Sequence, residues 1–175
     1  IVNAANESLL GGGGVRADPG DLDTACASGG RLRAVLTGAS IGSTISELPD
    51  GRLLVAGSTI TTAGGEDFLL MRLTASGALD PAFGSGGSVA IDFRGFADVA
   101  YAHLRQPDGK LLMVGRSASA ASAGAQTPND YALLRLNADG TRDKGFGSDG
   151  RVIVDLGGVN EQLTDIELLA HGRIL

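Results

Sequence analysis

The chain has 175 residues, 28 of them glycine, with 43% hydrophobic and only 4% aromatic residues and a net charge of -6. That composition describes a turn-rich chain of small side chains with no run long enough for a membrane helix. Its 14 Lys and Arg residues form no dense cluster, so the basic field that nucleic acid requires is absent. A lone cysteine, Cys26, excludes an intrachain disulfide.

Taken in chain order, residues 1–16 stand apart. Ile1 to Asn6 reads as a strand comparable to Leu53-Leu54-Val55-Ala56-Gly57-Ser58, the third strand of a preceding repeat, with a glycine loop after it. Residues 17–175 then carry about two and a half copies of a unit of about 60 residues. The copies open on Leu22-Asp23, Leu79-Asp80 and Arg142-Asp143. The first is degraded, with Cys26 where the others have Phe83 and Phe146, and Val35 where Asp92 and Asp155 stand. Phe83-Gly84-Ser85-Gly86-Gly87 aligns with Phe146-Gly147-Ser148-Asp149-Gly150 at an offset of 63, and Val89, Asp92 and Gly95 match Val152, Asp155 and Gly158 at the same offset. Self-similarity at this period predicts blades or solenoid turns, not one globular α/β domain.

Within one unit the pattern predicts four short strands: Gly87 to Phe93, Asp98 to Gln106, Lys110 to Gly115 and Tyr131 to Asn137. Pro107-Asp108-Gly109 and Asn137-Ala138-Asp139-Gly140 supply the preset φ, Asx hydrogen bonding and tolerance of positive φ that antiparallel turns need. In the last strand Ala132, Leu134 and Leu136 share one face while Tyr131, Leu133 and Arg135 share the other, because side chains alternate. Both faces are largely apolar, as expected of a sheet sandwiched between neighbours. The fold class is therefore all-β, with propeller-like blades of four short antiparallel strands.

An Ala/Ser-rich insertion, Ser117 to Thr127, predicts a surface loop between the third and fourth strands. Arg173-Ile174-Leu175 corresponds to Lys110-Leu111-Leu112, so the last unit is expected to be incomplete and the chain a fragment. A ring of blades needs more units, which lie outside this chain or come from further copies of it; the third arrangement is an open stack.

The stretch from Leu79 to Gly87, followed by Gln106 to Gly115 and then Leu133 to Gly140, resembles the delta-60 repeat family over about residues 20–175. Ala170-His171-Gly172 departs from that pattern where Pro107-Asp108-Gly109 fits it. The resemblance implies propeller-like repeats in a large bacterial surface or secreted protein. It implies a scaffold or binding module outside the cytoplasm, and no catalytic residue.

Residues 1–15 resemble the ADP-ribose-binding signature of macro domains. On that resemblance the strand ends at Asn6, which faces the distal ribose, and Asn3 belongs to the same ADP-ribose-binding set. Gly11, Gly12, Gly13, Gly14 and Val15 bring backbone N–H groups to the diphosphate, a role suited to a loop without Cβ atoms. The chain then departs from the family: Arg16 stands at the acidic position and Pro19 where a helix should run, and no βαβ alternation follows.

The remaining candidates are bland. Asn137, Asp139 and Asp143 are spaced loosely like a calcium loop but read as a turn, with Arg135 at the first ligand position. His103 and His171 occupy unrelated positions in the unit and have no Cys or second His at ligand spacing. The recurring pairs Asp67 with Arg72 and Asp130 with Arg135 read as solvated or inter-blade ion pairs. The expectation is a non-catalytic scaffold at the bacterial surface or outside the cell, with an unidentified protein or glycan partner and no cofactor or metal. The alternative is an ADP-ribose-binding or ADP-ribosyl-hydrolase remnant at residues 1–15.

Overall fold

The computed structural model describes residues 39–61, 65–120, 128–158, 160–169 and 174, together with the backbone of residues 2–3 and 31–32. β1 (Val2–Asn3) pairs antiparallel with β2 (Arg31–Leu32). β3 (Ser40–Glu47), β4 (Leu53–Ile60), β5 (Glu66–Leu73) and β6 (Ser88–Ile91) form a four-stranded antiparallel sheet in chain order. β7 (Asp98–Arg105), β8 (Leu111–Ala118), β9 (Asn129–Leu136) and β10 (Arg151–Val154) form a second sheet with the same order. The propeller-like all-β architecture expected from the repeats is thus the one observed.

Local chemistry sets the hairpins. Gly51 and Gly109 adopt φ of 79° and 88°, which other residues rarely tolerate, and so close the Pro-Asp-Gly turns. Across them the Leu48 N–H meets the Arg52 carbonyl at 2.7 Å and the Gln106 N–H meets the Lys110 carbonyl at 2.8 Å.

Two expectations need correction. The strand at Ser88–Ile91 does not open a sheet with Asp98–Arg105; it closes the preceding one, with Val89 opposite Leu70 and Ile91 opposite Phe68. A sequence repeat has no intrinsic starting point, and only the ladder hydrogen bonds say where one sheet ends. The phrase from Leu79 to Gly87 is therefore a connection inside a sheet, and the crossing between sheets falls at Asp92 to Ala97. The insertion also begins later than expected. Ser117 and Ala118 belong to β8, where they pair with Asp130 and Asn129, and the Ser119 N–H still reaches the Pro128 carbonyl at 2.9 Å. Small side chains read as loop formers, but here they extend a ladder; residues 121–127 lie outside the described part.

The core forms where the sheets meet. Leu54, Ala56, Phe68 and Leu70 of the first sheet pack with Leu111, Met113, Ala132, Leu134 and Leu136 of the second, and Phe68 meets Phe93 edge-on with centroids 4.9 Å apart. Burying one such large side chain stabilises the fold by about 1.5–3 kcal/mol. The opposite face of the first sheet, Leu53, Val55, Leu69, Met71 and Leu73, is buried as well. β5 is consequently buried on both faces, whereas Tyr131, Leu133 and Arg135 of β9 are half-buried.

Candidate functional site at the sheet junction

Asp80 and Asp143, the described Asp residues of the repeat-opening phrases, each do two jobs at one rim of the sheets. Asp80 Oδ1 accepts the Ala82 N–H at 3.0 Å, while Oδ2 accepts Arg72 Nε at 2.7 Å and Arg52 Nη1 at 3.0 Å. The Ala82 N–H, then the Arg52 and Arg72 guanidiniums, hold its carboxyl below the usual range. The Arg72 guanidinium lies 4.7 Å from the Phe83 ring centroid and donates to the Ala138 carbonyl of the next repeat at 2.6 Å. The second repeat copies the device. Asp143 takes the Gly145 N–H at 3.1 Å, Arg135 Nε at 2.7 Å and Lys110 Nζ at 3.1 Å, and Arg135 lies 4.4 Å from the centroid of Phe146. Lys110 is the largest influence lowering the Asp143 pKa.

The expected pairs Asp67 with Arg72 and Asp130 with Arg135 are therefore not formed. Residues five apart on a strand point to opposite faces and sit roughly 16 Å apart along it. Arg72 and Arg135 are fixed by Asp80 and Asp143, and Asp130 pairs instead with Arg94 at 2.7 Å. The turn reading of Asn137 and Asp139 holds: Asn137 Nδ2 donates to Thr141 Oγ1 at 2.9 Å, and Asp139 Oδ1 accepts the Thr141 N–H at 2.9 Å.

At the opposite ends of these strands, acidic residues gather twice among the described residues. Oxygens of Asp67, Asp92 and Asp98 lie within 4.8 Å of one another, as do those of Asp130, Asp155 and Glu161. Each group takes one residue from the start of the third strand of a sheet, one from just after its fourth strand, and one from where the chain enters the next repeat. Asp98 and Glu161 organise the crossing by accepting the N–H of Phe93 at 2.8 Å and of Leu156 at 2.9 Å. Burial pushes the Asp98 carboxyl up to about 6, with the charges of Asp92 and Asp67 adding to it against the Ser117 hydroxyl and the Phe93 N–H. Burial, and then Asp92, also raise Asp67, which the Thr61 hydroxyl partly offsets. The signal for these groups is present in the sequence, since both triplets have spacings of 25 and then 6 residues. The Asp-to-Glu change at the third position hides it.

His103 joins β7 to β3, its Nε2 standing 2.6 Å from Ser46 Oγ, while Nδ1 has no hydrogen-bond partner. Desolvation lowers its pKa to about 4. That arrangement suits a neutral ring that donates from Nε2 and leaves only a weak acceptor unmatched. His171 lies outside the described residues.

Of the ADP-ribose candidates only the Asn3 backbone is described, opposite Arg31 in an antiparallel pair. A βαβ unit would set neighbouring strands parallel. Asn6, Gly11, Gly12, Gly13, Gly14 and Val15 lie outside the described residues.

Residues 48–83 and 106–146 match a family model described as a β-propeller domain of unknown function, DUF5122. Both segments run from the turn before the second strand of a sheet to the Phe that carries the Arg stack, so the match takes the same portion of each repeat. No curated protein matches the chain.

Proposed function

From a chain whose residues 48–83 and 106–146 match a β-propeller domain of unknown function, DUF5122, we propose a non-catalytic repeat module that serves as a structural or binding scaffold in a bacterial surface or secreted protein. The observation that carries this reading is the recurrence of one Arg, Asp and Phe arrangement at the same rim of both sheets. Arg72, Asp80 and Phe83 do in one sheet what Arg135, Asp143 and Phe146 do in the next, and the Arg72 guanidinium ties its own repeat to the turn of the following one. The same side-chain interactions thus serve the same structural task in both sheets. The partner is a protein or glycan, engaged through loops carried by the rigid sheets.

Calorimetry on the full chain tests the reading. Titration with ADP-ribose is expected to give no heat at millimolar ligand. Heat abolished by Asn6→Ala would replace the scaffold reading with nucleotide binding. Surface biotinylation of intact bacteria producing the protein tests its location, with labelling of the repeats expected and exclusive recovery in the cytosolic fraction contradicting it.

A further inference from the structure

The two acidic groups share a frame but differ in how their charge is met. In the second, Arg94 Nη2 stands 2.7 Å from Asp130 Oδ2 and is held by the Ser117 carbonyl at 2.9 Å, so a cation is built in. In the first, among the described residues, no Lys or Arg lies within ion-pair distance of Asp67, Asp92 or Asp98. Arg151 is the nearest counterpart by role, yet it donates to the Asp92 carbonyl at 2.8 Å and not to the carboxylate. Nor does the repeat place a second arginine here: Ser40–Glu47 and Asp98–Arg105 stand 58 positions apart, which aligns Leu36 with Arg94.

Asp98 supplies an independent sign. Its side chain is fully buried, and while Oδ2 takes the Phe93 N–H, Oδ1 has no hydrogen-bond partner. A buried carboxylate oxygen with no donor is costly unless positive charge reaches it. We propose that Asp67, Asp92 and Asp98 bind a calcium ion that joins one sheet of the propeller to the next, in the place that the Arg94 guanidinium fills at the following junction. The donor set is all oxygen, which suits a hard cation over zinc or copper. Oxygens up to 4.8 Å apart are spanned by an ion that takes its ligands at about 2.4 Å. Magnesium, which takes ligands at about 2.0–2.1 Å in strict octahedral order, suits three side chains fixed by separate strands and loops less well. The inference goes beyond the scaffold reading and does not depend on it.

The test is calcium titration of the chelator-treated full chain by calorimetry, with melting followed in parallel. One site is expected, with a dissociation constant in the range of about 0.01–1 mM and a melting temperature raised by several °C at saturation. Asp98→Asn is expected to weaken binding by roughly tenfold or more. Asp92→Asn, at an exposed position that does not challenge folding, is expected to do the same, while Asp155→Asn leaves binding in place. Arg94→Gln frees the second group and is expected to raise the stoichiometry from one to two. No heat and no melting shift at about 5 mM calcium, binding that survives Asp92→Asn, or tighter binding of magnesium than of calcium would overturn the assignment. A stoichiometry of one in folded Arg94→Gln would overturn the equivalence of the two groups on which it is argued.

Discussion

Replacing Gly115 with alanine is expected to damage this fold by a route that no sequence scale reveals. Gly115 sits in β8 opposite Ala100, where the pairing of β7 with β8 shifts between Ala100 and Ala102. A bulge of this kind presses one backbone toward the next. A Cβ at Gly115 would overlap the Val99 carbonyl oxygen and come within 2.9 Å of Ala100 Cα. Carbon atoms rest about 3.5–4.0 Å apart, so the strands must separate by roughly an ångström, and no rotamer can relieve a clash between backbones. The cost of such overpacking is about 2–4 kcal/mol, which for a chain of this length lowers the melting temperature by roughly 5–15 °C. Gly95→Ala is the control, because space there is open and only the φ of 80° resists the change, at about 1–2 kcal/mol. Thermal melts by circular dichroism on both variants give the comparison. Gly57 meets the Ile41 carbonyl in the same way in the first sheet, so Gly57→Ala is expected to repeat the effect. A Gly115→Ala protein that melts within about 2 °C of the parent would refute the close approach of β7 to β8.

Two further outcomes concern charged and titratable groups. Arg72→Lys keeps the charge but loses the fork that serves Asp80 and the Ala138 carbonyl together with the stack on Phe83, and is expected to lower the melting temperature by several °C; an unchanged melt would show that charge alone suffices. His103 is neutral in the folded chain down to about 4, against 6.5 for the free side chain, so between those values the unfolded chain binds a proton that the folded chain does not, and stability falls as pH drops through that window. Asp98, raised to about 6, acts in the opposite sense over part of the same range, so the readout is the difference between the parent and His103→Gln. The parent is expected to lose more of its melting temperature between pH 7 and pH 5, and parallel curves would contradict the neutral-ring assignment.

What could be read from the sequence follows from which interactions are local. Turn chemistry is local: Pro49-Asp50-Gly51 and Pro107-Asp108-Gly109 fix their hairpins by φ and by one hydrogen bond, and the strands beside them fall where period-two patterning puts them. The burial of Ala132, Leu134 and Leu136 on one face of β9 is legible for the same reason. Sheet boundaries are not local. Ser88–Ile91 has the same composition whichever sheet receives it, and only pairing with β5 decides. Charge partners are not local either. Asp67 and Arg72 recur with Asp130 and Arg135 and invite pairing by proximity in the chain, but strand geometry sends the members of each pair to opposite rims. Asp80, Asp143 and Arg94 become visible as partners only when the connections fold back.

The two rims of the junction differ in what they ask of the environment. At one, fixed guanidiniums meet carboxylates, a backbone carbonyl and aromatic rings inside the chain, so the contact between repeats is complete once folded. At the other, carboxylates converge on a crossing segment; Arg94 pairs with Asp130 of one group, and the other is the proposed calcium site. Coulomb repulsion among three carboxylates falls steeply when a divalent ion enters and returns when it leaves. Because Asp98 also holds the Phe93 N–H, and Phe93 packs on Phe68, the ion's presence acts on the hydrophobic seam and not only on the surface. Loss of the ion is therefore expected to loosen the seam from its acidic rim while Arg72 still anchors the other. Hydrogen exchange should show this as faster exchange of the β5–β6 and β7–β8 amides near Asp67 and Asp98 in chelator, with amides near Asp80 and Gly84 unchanged. Uniform acceleration at both rims would mean that the sheets separate as a unit and that the arginine ties do not hold them independently.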